Sequence, residues 1–193
     1  MYNLRMTWPI RTDRLLLRPV EEGDLDFLLG LWNDPETMRY AGGERNWTRG
    51  DILEWFGSYT RRHPSFPDDL FPEEIHLVIL LPPDTRAGES GLGELPQNWR
   101  CEGFAVPAGV RAGMCDVKLA GPFRGKGYAT EAMRAVARFF RQETDLDILI
   151  VPPHEDNPAA IRVYEKAGFR MTRGRAWGHH LVMVAEKDAG AGL

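Results

Sequence analysis

Cysteine is scarce in this chain: Cys101 and Cys115 are the only two in 193 residues. So small a number excludes a disulfide framework, and a lone pair flanking a turn reads as two reduced thiols. Long apolar runs are also missing, since no segment approaches the roughly 20 residues that a helix needs to cross a bilayer. The stretch Met1–Ile10 is interrupted by Arg5 and Pro9 and has neither an apolar central region nor a small-residue cleavage site. The expectation is a cytoplasmic protein with no membrane partner. There is no excess of positive charge: 24 Lys and Arg stand against 28 Asp and Glu, for a net charge of −4. Scattered arginines in an acidic chain argue against a nucleic-acid partner held by a basic surface. The histidines, His63, His76, His154 and the pair His179-His180, show no metal-ligand spacing. No metal is expected, and no internal repeat or low-complexity tract is present.

What is there suits one core. With 43% hydrophobic residues, the chain reads as a single domain over 1–193, with a core from about 10 to 187 and a frayed tail at 188–193. Leu15–Arg18 predicts a short strand stopped by Pro19. Asp24 predicts a helix N-cap, with Leu25, Leu28, Leu29 and Trp32 at helical spacing until Asn33-Asp34-Pro35. Thr48 and Asp51 form a capping-box pattern for a helix burying Ile52, Trp55, Phe56 and Tyr59. From Arg61 to Glu74 repeated X-Pro pairs predict an extended excursion, either the lining of a substrate mouth or a surface insertion. Ile75–Leu81 predicts a strand, with Gly91–Leu95 as its hairpin partner across a long turn. Phe104–Val106 and Met114–Leu119 predict a second pairing around Pro107–Gly113. An amphipathic helix follows from about Thr130 to Gln142. Ile148–Val151 predicts a central strand covered on both faces, Pro158–Ala167 a helix stopped by Gly168, and Leu181–Ala185 a last strand.

The chain is organised around Arg124-Gly125-Lys126-Gly127-Tyr128-Ala129-Thr130, between a strand and a helix. Two glycines allow positive φ and a close backbone approach, so that successive N–H groups converge on an oxyanion. No Ser, Asp or Asn precedes the helix to occupy its first-turn amides, which suits a phosphate. A magnesium-binding P-loop does not fit: Gly121 is one residue too close to Gly125-Lys126, and Gly127 stands where the hydroxyl residue is required. A dinucleotide fingerprint does not fit either, because Thr130 occupies its third glycine position. On its own, the stretch reads either as an anion cradle or as an ordinary glycine-bearing turn.

Taken with Asn157-Pro158-Ala159-Ala160-Ile161-Arg162-Val163-Tyr164-Glu165-Lys166-Ala167-Gly168-Phe169, the cradle resembles the paired cofactor motifs of the Gcn5-related N-acetyltransferase (GNAT) superfamily. Thr12–Pro19 and Trp32–Glu36 are similar to the opening of the branch containing the ribosomal-protein N-terminal acetyltransferases. Asp116–Ala120 also resembles a strand of aminoglycoside 6'-N-acetyltransferases, where an aspartate serves the reactive amine. The segment from Arg61 to Gly113 matches neither pattern in detail, and there the acceptor would be selected.

The resemblance implies an α/β (α+β) fold: a mixed, strongly twisted sheet with helices on both faces, its fourth and fifth strands splayed into a cleft. Met114–Leu119 and Asp147–Val151 would be those strands, with Val117 and Leu119 lending backbone groups to the pantetheine arm of acetyl-CoA. Arg124, Gly125, Lys126, Gly127, Tyr128, Ala129 and Thr130 would hold the pyrophosphate, and Asn157, Ala160 and Tyr164 the arm. The implied reaction is acetyl transfer to a primary amine by direct attack in a ternary complex. Tyr164 would protonate the leaving thiolate and Asp116 would receive the amine's proton, with Glu94, Glu102 and His154 as further candidates. A protein N-terminus, a small amine and an aminoglycoside all stand as acceptors, and a module that binds acyl-CoA without catalysis stands beside them. A homodimer is left open.

Overall fold

The computed structural model describes residues 8–62, 74–97 and 99–187. The excursion expected from Arg61 to Glu74 therefore falls largely outside the described residues, as does the tail at 188–193. At its two ends, Arg62 closes a helix and Glu74 opens a strand.

Two short strands, β1 (Ile10–Arg11) and β2 (Leu16–Pro19), come first, followed by the helices α1 (Leu25–Asn33), α2 (Pro35–Met38) and α3 (Arg49–Arg62). A long hairpin, β3 (Glu74–Leu81) and β4 (Thr85–Glu94), leads to the small β5 (Arg100–Cys101) and β6 (Phe104–Ala105). Then come β7 (Ala112–Cys115), β8 (Lys118–Leu119), α4 (Tyr128–Glu143), β9 (Ile148–Val151), α5 (Pro158–Lys166), β10 (Arg170–Trp177) and β11 (His180–Glu186). The main sheet runs β1-β2-β3-β4-β7-β9-β11-β10, with β8 also on β4. Its pairs are antiparallel apart from the parallel β7–β9 pair.

The period of two along β3 sorts its side chains between the faces. Ile75, Leu77 and Ile79 join Met133, Val136, Phe140 and Tyr164 on the α4–α5 side, whereas Val78 and Leu80 meet Leu28, Trp32 and Ile52 from α1 and α3. Helices thus cover both faces, as expected. The β5–β6 hairpin contributes Phe104 and Cys101 to a third cluster around Ile150, Val182 and Val184. The apolar run of β9 follows from its central place in the sheet, where Leu149, Ile150 and Val151 are all buried.

Some expectations need correction. The hairpin partner of β3 begins at Thr85 rather than Gly91, so 85–90 is strand and the turn is short. Phe104–Ala105 pairs with Arg100–Cys101, not with Met114–Leu119. The strand expected over Met114–Leu119 is divided into β7 and β8, which keep one register against β4 but are interrupted at Asp116-Val117. There Asp116 folds back, its Oδ1 accepting the Gly91 N–H at 3.1 Å. Asp24 precedes α1 but does not cap it with its side chain, whose Oδ2 accepts the Glu21 N–H at 2.9 Å across the turn ahead of the helix. Its buried carboxylate also accepts from Arg18 Nη1 and Arg86 Nε, both at 2.7 Å. Strand β10 has no counterpart among the expected elements. The Thr48–Asp51 capping box is present, with Thr48 N–H donating to Asp51 at 2.7 Å and Asp51 N–H to Thr48 Oγ1 at 3.3 Å. Both cysteines are free thiols.

Candidate active site

The parallel strands β7 and β9 pair from Ala112/Ile148 to Met114/Ile150 and then part. Past that point Val151 stays with Met183 of β11, while the other strand turns toward β4 at Asp116. The gap opens into a cleft of about 610 Å³. Asp116, Val117, Asn157, Ala160 and Tyr164, expected from the sequence to act together, all line it. Leu119 and the loop from Arg124 to Thr130 lie outside its walls.

Tyr164 reaches the cleft from α5 and is buried. Burial raises its phenol pKa well above the ordinary value, and the negative charge of Asp116 adds to the effect; a backbone hydrogen bond from Val117 works weakly the other way. The group therefore stays protonated and can give up a proton only to a strong base formed beside it, such as a thiolate. Asn157 caps α5, its Oδ1 accepting the Ala160 N–H at 3.1 Å. That bond uses the oxygen, so the side-chain amide nitrogen is the part offered to a cleft ligand.

The cradle has the backbone that its glycines predicted: φ is +73° at Gly125 and +84° at Gly127. Gly127 caps α4 without a side-chain bond, and the first intrahelical N–H is that of Glu131, donating to Gly127 O at 3.1 Å. The amides of Tyr128, Ala129 and Thr130 consequently have no acceptor within the helix. Open space surrounds a Cβ placed on Gly125, and Gly125, Lys126 and Gly127 are exposed. This geometry fits an incoming pyrophosphate at the positive end of a 16-residue helix. Arg124 is placed differently from a free counter-charge. Its Nε donates to Leu119 O at 3.0 Å, Nη2 to Thr37 Oγ1 at 2.5 Å, and Nη1 lies 2.8 Å from Glu36. Its guanidinium ties the loop to α2, leaving Lys126 as the cradle's outward cation.

Among the candidate proton acceptors, Asp116 lies on the cleft and accepts from Lys118 Nζ at 2.6 Å. Glu94 also lines it but is clamped by Arg111, whose Nε and Nη2 both donate at 2.9 Å. Glu102 is exposed and off the cleft; its carbonyl accepts the Arg175 N–H at 2.8 Å. His154 lines the cleft, and its Nδ1 accepts the Asp156 N–H at 3.1 Å. A neutral ring so held carries its proton on Nε2, which leaves no free lone pair for a base.

The sequence did not point to Arg14, His76, Glu89 or Lys118. Glu74, His76 and Lys118 line the cleft, and Glu89 lies beneath it with no exposed surface. Arg14 binds the cradle from outside: Nη1 donates to Lys126 O at 3.0 Å, Nε to Glu131 at 2.7 Å, and the guanidinium stacks 4.7 Å from the Tyr128 ring. Among the described residues no cluster of His, Cys, Asp and Glu could hold a metal ion, and no helix is long and apolar enough to cross a membrane.

Comparison with known proteins places this architecture. The chain is 30% identical over 181 residues to the uncharacterized protein YkkB of Bacillus subtilis (strain 168), covering 92% of this chain and 94% of that one. A spermidine N-acetyltransferase from Vibrio cholerae, solved with CoA and spermine, superposes with a TM-score of 0.67 at 21% identity, over 91% of this chain and 97% of the other. The aminoglycoside acetyltransferase AAC(6')-Ib, solved with coenzyme A, gives a TM-score of 0.67 at 20% identity, over 90% and 95%. At those identities the two structures speak for the fold. The model of the acetyltransferase (GNAT) domain matches residues 14–170, a span that takes in the parted strands, the cradle and α5, and the chain belongs to that family of acetyl-CoA-dependent N-acetyltransferases.

Proposed function

We propose that this enzyme acetylates a primary amine of a small, cationic acceptor by direct attack within a ternary complex. The observation that carries the reading is the meeting, in one walled cleft, of the protonated Tyr164 phenol with the carboxylates of Glu74, Glu94 and Asp116. Glu74, Glu94 and Asp116 share the cleft with the cations Arg45, His76 and Lys118, and a carboxylate so placed can pair with one ammonium of a small polycation, whereas an extended peptide needs an open groove. The spermine and aminoglycoside named for the two structural neighbours are ligands of the same chemical kind.

Acetyl-CoA supplies the acetyl group as a thioester. The first requirement on the protein is to free the amine's lone pair, because an alkylammonium with a pKa near 10.4 is almost wholly protonated at neutral pH. Asp116, on the cleft wall, attracts the ammonium and receives its proton directly or through water. The nitrogen then forms its bond to the acetyl carbon, and the C–S bond breaks. Tyr164 gives its proton to the departing sulfur, and the second proton that the bonded nitrogen sheds on becoming an amide restores the phenol. The cradle amides and Lys126 hold the pyrophosphate, and Asn157 donates to the pantetheine arm.

The test is acetyl-CoA consumption with a panel containing spermine, simple diamines, an aminoglycoside and a peptide with a free N-terminus. Turnover is expected with the small polycations and not with the peptide. Tight acetyl-CoA binding with no turnover of any amine would leave a binding module instead, and turnover of the peptide alone would move the acceptor to protein N-termini.

A further inference from the structure

Glu89 is a fully buried carboxylate in β4. It faces Lys118 of β8 directly in register, and that close pairing depends on Gly88, where a Cβ would lie 2.2 Å from the Lys118 carbonyl. Burying an anion is costly unless cations and hydrogen bonds compensate it. Here both oxygens are taken: Oε1 lies 2.7 Å from His76 Nδ1, and Oε2 accepts from Lys118 Nζ at 3.1 Å. Each cation then turns toward the cleft. Lys118 Nζ donates to Asp116 Oδ2 at 2.6 Å, and His76 Nε2 lies 2.9 Å from Glu74 Oε1. Charges alternate along Asp116, Lys118, Glu89, His76 and Glu74, with carboxylates at both ends and both ends on the cleft.

We infer that Glu89 is a positioning residue for the acceptor site, holding Lys118 and His76 so that Asp116 and Glu74 present fixed carboxylates to an incoming polycation. The inference rests on reading this cleft as the acceptor site. The arrangement also responds to pH. Burial by itself would lower the His76 pKa, but the bonds to Glu74 on β3 and Glu89 on β4 outweigh it and bring the group up to about 9. Among the described residues the ring also meets the uncharged rings of Trp32, Trp55 and Tyr59, and the Tyr59 hydroxyl accepts the His76 backbone N–H at 3.3 Å. Below that pH the imidazolium donates to both carboxylates and the chain is closed. Above it one of those bonds is lost.

Steady-state kinetics with spermine as the acceptor test the inference on Glu89→Gln. The KM for spermine should rise about tenfold, while the KM for acetyl-CoA changes by less than about twofold. With one of its two anionic partners removed, His76 should titrate earlier and draw the alkaline limb of kcat/KM down by about one pH unit. A residue that only supported the fold would lower the melting temperature without moving that limb. Should Glu89→Gln fail to fold, the Glu89→Met/Lys118→Met pair replaces the buried ions with apolar side chains of similar volume; it too should show the raised spermine KM. A folded variant with the wild-type spermine KM and the wild-type limb would overturn the inference. Wild-type enzyme that neither binds nor acetylates any amine of the panel would remove the functional reading, and this inference with it.

Discussion

Arg14 Nε donates to Glu131 Oε2 at 2.7 Å and joins the entry to β2 to the first turn of α4. Thr12 Oγ1 and the Arg14 N–H reach the other oxygen at 2.6 and 2.9 Å, so Glu131 is held by a small clamp. Through Nη1 the same guanidinium fixes the Lys126 carbonyl at 3.0 Å. It thereby orients the peptide between the two positive-φ glycines and places a cation beside the expected pyrophosphate. Arg14→Ala should weaken acetyl-CoA binding by about five- to tenfold, the worth of roughly one ordinary hydrogen bond. Calorimetry with acetyl-CoA and with S-acetylpantetheine separates the causes: loss for the first ligand alone places the effect at the phosphates. Equal loss for both would mean a general distortion of the site.

Tyr164→Phe keeps the ring that packs 5.9 Å from Phe169 and removes only the hydroxyl. Its phenol is held neutral mainly by burial, so the proton is present throughout the working pH range. The turnover number should fall by about 10²-fold, with KM for acetyl-CoA changed less than about threefold. A single-turnover measurement reports the chemical step. An unaltered rate there would transfer the proton donation to water or another group.

The readability of this chain from its sequence follows the range of the interactions involved. The amphipathic pattern of α4 and the apolar runs of β9 and β3 are local signals, and each appears where the pattern placed it. Positive φ at Gly125 and Gly127 was legible because glycine tolerates it without strain. The first half of β4 was not. Arg86, Glu89 and Ser90 read as a polar turn, yet they form strand because Asp24, His76, Lys118 and the Asp116 carbonyl, distant in sequence, satisfy them. β10 was hidden by its exposed, arginine-rich residues, which carry little of the period-two signal. The break at Asp116-Val117 had no local signature either, since it depends on a bond from Gly91 in the neighbouring strand.

Gly88 offers a test of that neighbouring strand. A Cβ there would meet the Lys118 carbonyl at 2.2 Å and the Leu119 side chain at 2.6 Å, with backbone on one side that cannot swing away. Gly88→Ala should therefore destabilise the fold by about 1–3 kcal/mol, the usual cost of overpacking. Because β8 carries Lys118 and leads into the cradle, acetyl-CoA should recover less of the melting temperature in the variant than in the wild type. Gly125→Ala is the contrasting case, with open space around the new methyl but a φ of +73°, so its penalty should be near 1 kcal/mol and purely conformational. Equal melting temperatures for wild type and Gly88→Ala in chemical or thermal denaturation would disprove the close β4–β8 contact.

Stability should also vary with pH on both sides of neutrality, through the buried groups around Glu89. Burial opposes the charge on His76, but Glu74 and Glu89 bring its pKa to about 9 from an ordinary 6.5. A raised folded-state pKa means that its contribution is complete below about 6.5 and disappears as pH rises through about 9. Glu89 behaves in the opposite sense. Burial alone would raise its pKa, yet Lys118 and His76 outweigh that and lower it from 4.5 to about 2. Its contribution is complete above 4.5 and is lost as pH falls toward 2. Lys118, raised by Asp116 and Glu89 against the effect of burial, stays charged over this whole span. Melting temperatures should thus decline from about pH 6.5 to about pH 9.5 in the wild type. In His76→Asn, which has no proton to lose there, the decline should be much shallower while the acid-side loss persists. Parallel alkaline slopes in the two proteins would show that the closed charge chain does not contribute to stability in this range.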